Sequence, residues 1–305
     1  MKLYGIGNAL LYYREKKGLS QSQVCAGICP EMTLSRIETG EREFDSMISE
    51  TLLERIGKTA NRFEFVLNEK DYRLYELRER IKNYADKKDV RNLREELKSY
   101  KNTMPQNSVL HEQFVLYYEA MLLKTENGDV QNILWLLHEA IELTRSDYKE
   151  KTAQMILYSS MEIKIIYQLF LYESYTEQML YSVMRFVNEM YDEEEKIELL
   201  IPFYVHLVQR YEEEKKYVEV KRIADEAIDL IQRGRSYLYL TDFYFYALKA
   251  TSRLYKSAED WTARRMELVE KCNELYYMSM IIEDNKTMEQ VKQFCEEYLG
   301  CRITI

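Results

Sequence analysis

Glycine and proline are so scarce in this chain that few folds remain open to it. Its 305 residues hold 9 Gly and 3 Pro, where average usage would give about 21 and 15. Sheet-rich folds turn often, and tight turns draw on these two residues, so the chain must be built mainly of helices. Six of the nine glycines (Gly5, Gly7, Gly18, Gly27, Gly40 and Gly57) lie at the N-terminal end. Short helices with tight turns are therefore expected first and long helices after them.

An apolar fraction of 46% with 31% charged residues marks a globular chain able to bury a large core, and excludes disorder. The length suits two domains. With 43 Lys and Arg against 52 Asp and Glu, the net charge is −9, so any contact with nucleic acid must be local. The five cysteines, Cys25, Cys29, Cys272, Cys295 and Cys301, are odd in number and lack metal-like spacing, which points to reduced thiols in packing roles. Residues 3–13 (LYGIGNALLYY) run into REKK without a small-residue cleavage site. No stretch approaches the roughly 20 apolar residues of a membrane span. A cytoplasmic protein is expected.

The informative run is residues 6–42. Ile6, Leu10, Leu11 and Tyr13 recur at helical spacing until Lys16-Lys17-Gly18, where basic residues meet the helix dipole and Gly18 stops the helix. Ser20 then stands as an N-cap before Gln21-Ser22-Gln23-Val24, with Leu19 as the apolar staple. After a turn at Gly27 to Cys29, Pro30 suits the first position of a third helix, predicted from about Pro30 to Thr39. Leu34 and Ile37 anchor one face of it. Glu31, Met32, Thr33 and Arg36 point elsewhere and form the candidate reading surface.

This run resembles the helix-turn-helix of the Cro/repressor-like (XRE) class through Leu19-Ser20-Gln21, Leu34-Ser35-Arg36-Ile37-Glu38 and Gly40. The resemblance implies that Gln21 holds a DNA phosphate, while Glu31, Met32, Thr33 and Arg36 approach bases or backbone in the major groove. Glu31 stays open between accepting a hydrogen bond from cytosine and complementing the helix dipole. Residues 1–70 carry 10 Lys and Arg against 10 Asp and Glu. A neutral head binds DNA weakly alone, which favours a dimer sharing two half-sites.

From Phe63 onward helical periodicity is nearly unbroken. Polar breaks near 86–88, 101–106, 127–129, 145–148, 173–176, 191–194, 215–216, 234 and 258–260 leave about ten helices in pairs. Gln113-Phe114-Val115-Leu116-Tyr117 recurs as Gln154-Met155-Ile156-Leu157-Tyr158, then near Glu198 to Pro202, and more loosely as Asp242-Phe243-Tyr244-Phe245-Tyr246. Helices are expected to begin on these segments. Leu137 to Leu143 recurs as Ala224 to Leu230, with Ala140 and Ala227 small enough for close helix approach. Such repeats of helix pairs resemble long TPR units.

The expected architecture is all-α: a helix-turn-helix domain over residues 1–66, a connecting helix over 67–85, a TPR-like right-handed superhelix over 86–280 and a capping segment over 281–305. Together the two halves resemble the Rgg/PlcR-type (RRNPP) peptide-pheromone receptors of Gram-positive bacteria. That resemblance implies a quorum-sensing transcription regulator, a homodimer on an inverted-repeat operator, with a short signalling peptide in the concave groove. Asn and Gln suit a peptide backbone because each donates and accepts. Gln113 with Tyr117, and Gln154 with Tyr158, share helix faces at i,i+4, and with Asp242 and Tyr246 they form a candidate peptide ladder. Packing is the competing reading of these tyrosines, which number 27 in the chain. A second reading of the whole keeps the DNA head constitutive and lets the repeats dock a protein.

No catalytic residue, metal ligand or cofactor is expected. The three histidines (His111, His138, His206) form no metal or nucleophile motif, and there is no phosphate loop. His206 reads as a packed histidine. The runs Asp192 to Glu195 and Glu212 to Glu214 read as solvated faces or helix ends.

Overall fold

Long helices need firm stops, and here most stops are made without glycine. Lys88, Asn127, Lys215, Arg235 and Glu283 each take a positive φ just past a helix end, where an amide turns back to a carbonyl of the last turn. Gly128 and Gly234 mark two of the expected breaks, yet the left-handed residue is the neighbour, Asn127 or Arg235. Gly18 behaves as expected: at φ 65° it ends the first helix and lets Leu19 N–H reach Arg14 O.

The computed structural model describes residues 6–41, 46–58, 69–146, 148, 155–172, 177–237, 239–255 and 258–303. The chain divides into two compact units, Met1–Tyr191 and Asp192–Ile305. The first holds α1 (Ile6–Lys16), α2 (Gln21–Cys25), α3 (Glu31–Glu38), α4 (Ser46–Arg55), α5 (Glu69–Asp86), α6 (Val90–Thr103), α7 (Val109–Thr125), α8 (Val130–Glu142), α9 (Ser160–Tyr172) and α10 (Glu177–Met190). The second holds α11 (Glu193–Glu213), α12 (Tyr217–Arg233), α13 (Leu240–Leu254), α14 (Ala258–Ile281), α15 (Asn285–Phe294) and a π-helical turn, Cys295–Leu299. No strand occurs among the described residues, and no helix there is long and apolar enough to cross a membrane.

Two expected boundaries are corrected. A helix does not begin at the Gln154 segment: residues 155–159 are not helical, and α9 starts at Ser160. Gln154 itself lies outside the described residues. The start is set by a capping box, in which Glu162 Oε2 accepts from Ser159 N–H (2.6 Å) and Ser159 Oγ from Glu162 N–H (3.3 Å). The first helices of the pairs thus begin at Val109, Ser160, Glu193 and Leu240, an uneven spacing. The break expected at 258–260 lies earlier, between Leu254 and Ala258.

Within each unit, sequential helices pack in pairs: α5 on α6, α7 on α8, α11 on α12, α12 on α13, α14 on α15. Ala140 on α8 and Ala224 and Ala227 on α12 are fully buried, where a larger side chain would hold the partner helix away. The head closes on Leu10, Leu19, Val24, Leu34, Ile37, Leu52, Leu53 and Ile56, all buried. Gly7 sets the crossing of α1 and α3, since a Cβ there would lie 1.9 Å from Ile37 O.

Candidate functional site

The α2–α3 motif is fixed from inside. Ser20 Oγ accepts from Gln23 N–H (3.1 Å) and Gln23 Oε1 accepts from Ser20 N–H (2.9 Å), completing the capping box that starts α2. Pro30 precedes α3 with an extended backbone instead of occupying its first turn. At the other end, the nearly buried Glu38 carboxylate accepts Arg14 Nε (2.6 Å), Arg14 Nη2 (2.9 Å) and Gln21 Nε2 (2.7 Å). This charge-assisted triad ties α1, α2 and α3 together. It also raises the Arg14 pKa, through the hydrogen bond to Glu38.

Leu34 and Ile37 are buried, and this anchoring turns the other face of α3 outward. Glu31, Met32 and Arg36 are exposed and Thr33 half-exposed; Met32, a large apolar side chain, is 66% exposed. Gln21, expected at phosphate, is half-buried with its amide on Glu38. In this structure it positions α3.

The head is docked on the rest of the first unit through a polar seam. Arg55, at the end of α4, is fully buried. It donates to Val24 O (3.2 Å), to Ala26 O, to Thr144 O (3.5 Å) and to Glu162 Oε1 on α9 (2.5 Å). Beside it Glu54 accepts from Ser160 N–H (3.0 Å) and Ser160 Oγ (2.6 Å). Burial pushes the Glu54 carboxyl up, against the lowering effect of the Ser160 bonds. Tyr191 donates its hydroxyl to Glu54 O (2.7 Å), and Lys17 Nζ donates to Met190 O (2.7 Å). Two glycines allow the approach: a Cβ on Gly27 would lie 2.1 Å from Thr144 O, and one on Gly57 2.0 Å from Met190 O. Sequence reading missed this seam, because nothing local marks Arg55 and Glu162 as partners.

The candidate ladder is largely withdrawn from any surface. Gln113 is 1% exposed, and its amide donates to Ala140 O (2.9 Å) and Thr144 Oγ1 (2.7 Å). It joins α7 to α8 and has no donor left for a ligand. Tyr117 is buried, and burial pushes its hydroxyl up to about 12 against a bond with Gln168. Tyr158 is fully buried, off any helix, with its hydroxyl 3.3 Å from Ser182 Oγ. The period that placed these residues together reflects core packing. Asp242 and Tyr246 in the second unit are half-buried. Asp242 accepts from Lys286 Nζ (2.8 Å), and Tyr246 is bonded with Gln209 of α11.

Partly exposed polar groups do line the seams between first helices. In the first unit Lys124 Nζ on α7 donates to Gln168 Oε1 on α9 (2.7 Å) and lies 5.7 Å from the Tyr172 ring. In the second, Lys249 on α13 pairs with Glu212 on α11, beside Tyr246. Gln168, Lys124 and Gln209 were not found by sequence reading, since single polar residues on long helices carry no signal of their own. His206 on α11 is half-buried, and burial lowers its pKa.

No family model and no curated protein matches the chain. Solved structures align over nearly its whole length at low identity. The Streptococcus dysgalactiae SHP pheromone receptor Rgg2 has 13% identity and a TM-score of 0.46, covering 96% of this chain and 99% of that one. The apo competence regulator ComR from Streptococcus vestibularis has 15% identity and a TM-score of 0.48, covering 96% and 97%. ComR from S. thermophilus, solved with DNA and its signalling peptide ComS, has 15% identity and a TM-score of 0.44, covering 97% and 100%.

Proposed function

We propose that this chain is a sequence-specific DNA-binding regulator that reads its operator with α3 and responds to a short peptide held by its helix-pair domain. The observation that carries the reading is the orientation of α3. Leu34, Ile37 and the Glu38 triad hold it from one side, and Glu31, Met32, Thr33 and Arg36 are left outward on the other. An 8-residue helix presented so is what the major groove admits. A neutral head needs two copies for tight binding, so the active species is a homodimer on an inverted repeat. Within the first unit, the polar side chains Lys124 and Gln168 at the seam of α7 and α9 supply the donors and acceptors that a peptide backbone requires.

Selection of random double-stranded DNA by the full chain tests the head: an inverted repeat of two half-sites is expected. Arg36→Ala and Thr33→Ala should then weaken binding to the selected site by about 1–3 kcal/mol. No enrichment with or without peptide overturns the DNA reading. For the peptide, a ligand at 100 times its Kd raises stability by about 2.7 kcal/mol. If a library of short peptides leaves the thermal midpoint unmoved while the selected DNA still binds, the repeats dock a protein and the head is constitutive.

A further inference from the structure

The second unit ends in a cluster of three sulfurs that the regulatory reading does not use. Cys272 on α14 and Cys295 at the head of the π-helical turn are fully buried in one apolar core with Leu268, Val291 and Leu299. Cys301, half-exposed, packs against that core. All three are free thiols, and among the described residues no group of three is arranged to hold a metal ion.

The backbone brings Cys301 back to Cys295. Gly300 turns left-handed (φ 63°), and Cys301 N–H then donates to Cys295 O at 3.1 Å. Residues joined in this way have α-carbons near the separation, roughly 4.4–6.8 Å, that a disulfide spans. Arg265 on α14 fixes the same turn through Leu299 O (2.8 Å) and Gly300 O (3.4 Å), and its Nη2 lies 3.2 Å from Cys301 Sγ. A guanidinium against a partly exposed sulfur is the setting of reactive cysteines. The two deeper thiols lie in the apolar core. Burial pushes Cys272 up to about 12, helped by the hydrogen bond it donates to Cys295, and burial also raises Cys295.

We propose that Cys301 is a peroxide-reactive thiol that Cys295 resolves into an intramolecular disulfide across the last turn of the chain. The Cys301 thiolate attacks one oxygen of hydrogen peroxide and the O–O bond breaks. The sulfur is oxidised to a sulfenic acid, and the peroxide is reduced to hydroxide, which takes up a proton. The Cys295 sulfur then attacks the sulfenic sulfur, the S–O bond breaks, and water leaves with the Cys295 proton. Arg265 acts as a positioning residue, holding the Leu299–Gly300 turn and the Cys301 sulfur that follows it.

The test is a hydrogen peroxide titration of the full chain, followed by maleimide labelling and peptide mapping. One Cys295–Cys301 crosslink per chain is expected, with Cys25 and Cys29 still labelled as before. Cys301→Ser should abolish the crosslink, and Cys301 lies at the edge of the core and not inside it. Arg265→Ala should slow crosslinking about tenfold, with Arg265→Lys recovering part of the rate. Circular dichroism of each variant confirms the fold. Peroxide that leaves all five thiols labelled overturns the proposal. So does oxidation of Cys301 to sulfinic or sulfonic acid without a crosslink, or an unchanged rate in Arg265→Ala.

Discussion

Removing the Arg55 guanidinium tests how the head is held. In Arg55→Met the stem remains, while Glu162 keeps its carboxylate in a fully buried position with Ser159 N–H as its remaining donor among those described above. Val24 O, Ala26 O and Thr144 O lose a donor as well. Both charged side chains are 0% exposed, so solvent screening does not reduce the loss, and breaking such a pair costs about 3–5 kcal/mol. The opening equilibrium of the seam should rise by about 140- to 3,700-fold. Hydrogen exchange of the Leu52 and Leu53 amides reads it directly. The partner substitution separates causes. With Glu162→Met added, no buried charge is left unpaired, and most of the loss should be recovered. Arg55 Nε is buried without a hydrogen-bond partner, so the native arrangement already carries a cost that the double variant removes. A single variant costing under about 1 kcal/mol, or a double variant no better than the single, would refute the argument.

Three further outcomes follow from the same geometry. Glu38→Ala leaves Arg14 and Gln21 without their acceptor and should lower the stability of the head by about 2–4 kcal/mol, read as the thermal midpoint. Gly7→Ala drives a Cβ to 1.9 Å from Ile37 O, so α1 and α3 must part, at a cost near or above the usual 1–3 kcal/mol of overpacking. Burial holds the Glu54 pKa above its ordinary value of 4.5. Its contribution is therefore fully present below that value and is lost as pH rises through the raised one, so seam stability should fall as pH rises above 4.5. Glu54→Gln should flatten that profile in denaturant titrations.

The fold was legible in the sequence to the extent that it follows from local rules. Ser20 as an N-cap, Gly18, and the alternation of Leu34 and Ile37 with exposed neighbours each act within a few residues, and the structure places them as read. Break positions were nearly as clear, since charged or polar runs such as 86–88 and 215–216 cannot be buried. The helix starts were less so. Ser159 to Glu162 is a capping box in plain view, but the apparent recurrence of Gln113 to Tyr117 at Gln154 to Tyr158 drew the start earlier. That recurrence is one of apolar and aromatic spacing. It reports which residues face a core, and it cannot distinguish an amide that meets a ligand from one, like Gln113, that closes a gap between α7 and α8. The Arg55–Glu162 pair lay beyond reach for another reason: its members are 107 positions apart, and only the folded chain brings them together.

The character of the seam decides how a ligand in the first unit could reach the head. An apolar seam tolerates sliding, because its contacts are non-directional. This one is built of a buried ion pair, carbonyl acceptors and two glycines already at backbone contact, so a shift of about 1 Å would lengthen the hydrogen bonds of Arg55 and Glu54 beyond useful range together. Intermediate positions carry a desolvated charge without its partner and are the most costly of all. The head is thus either seated in one orientation or released, the kind of two-state element that small displacements can switch. α9 carries Ser160 and Glu162 in its first turn and Gln168 and Tyr172 toward its other end. A peptide that moved this helix by engaging Gln168 would act on the seam through the same rigid body, without touching α3.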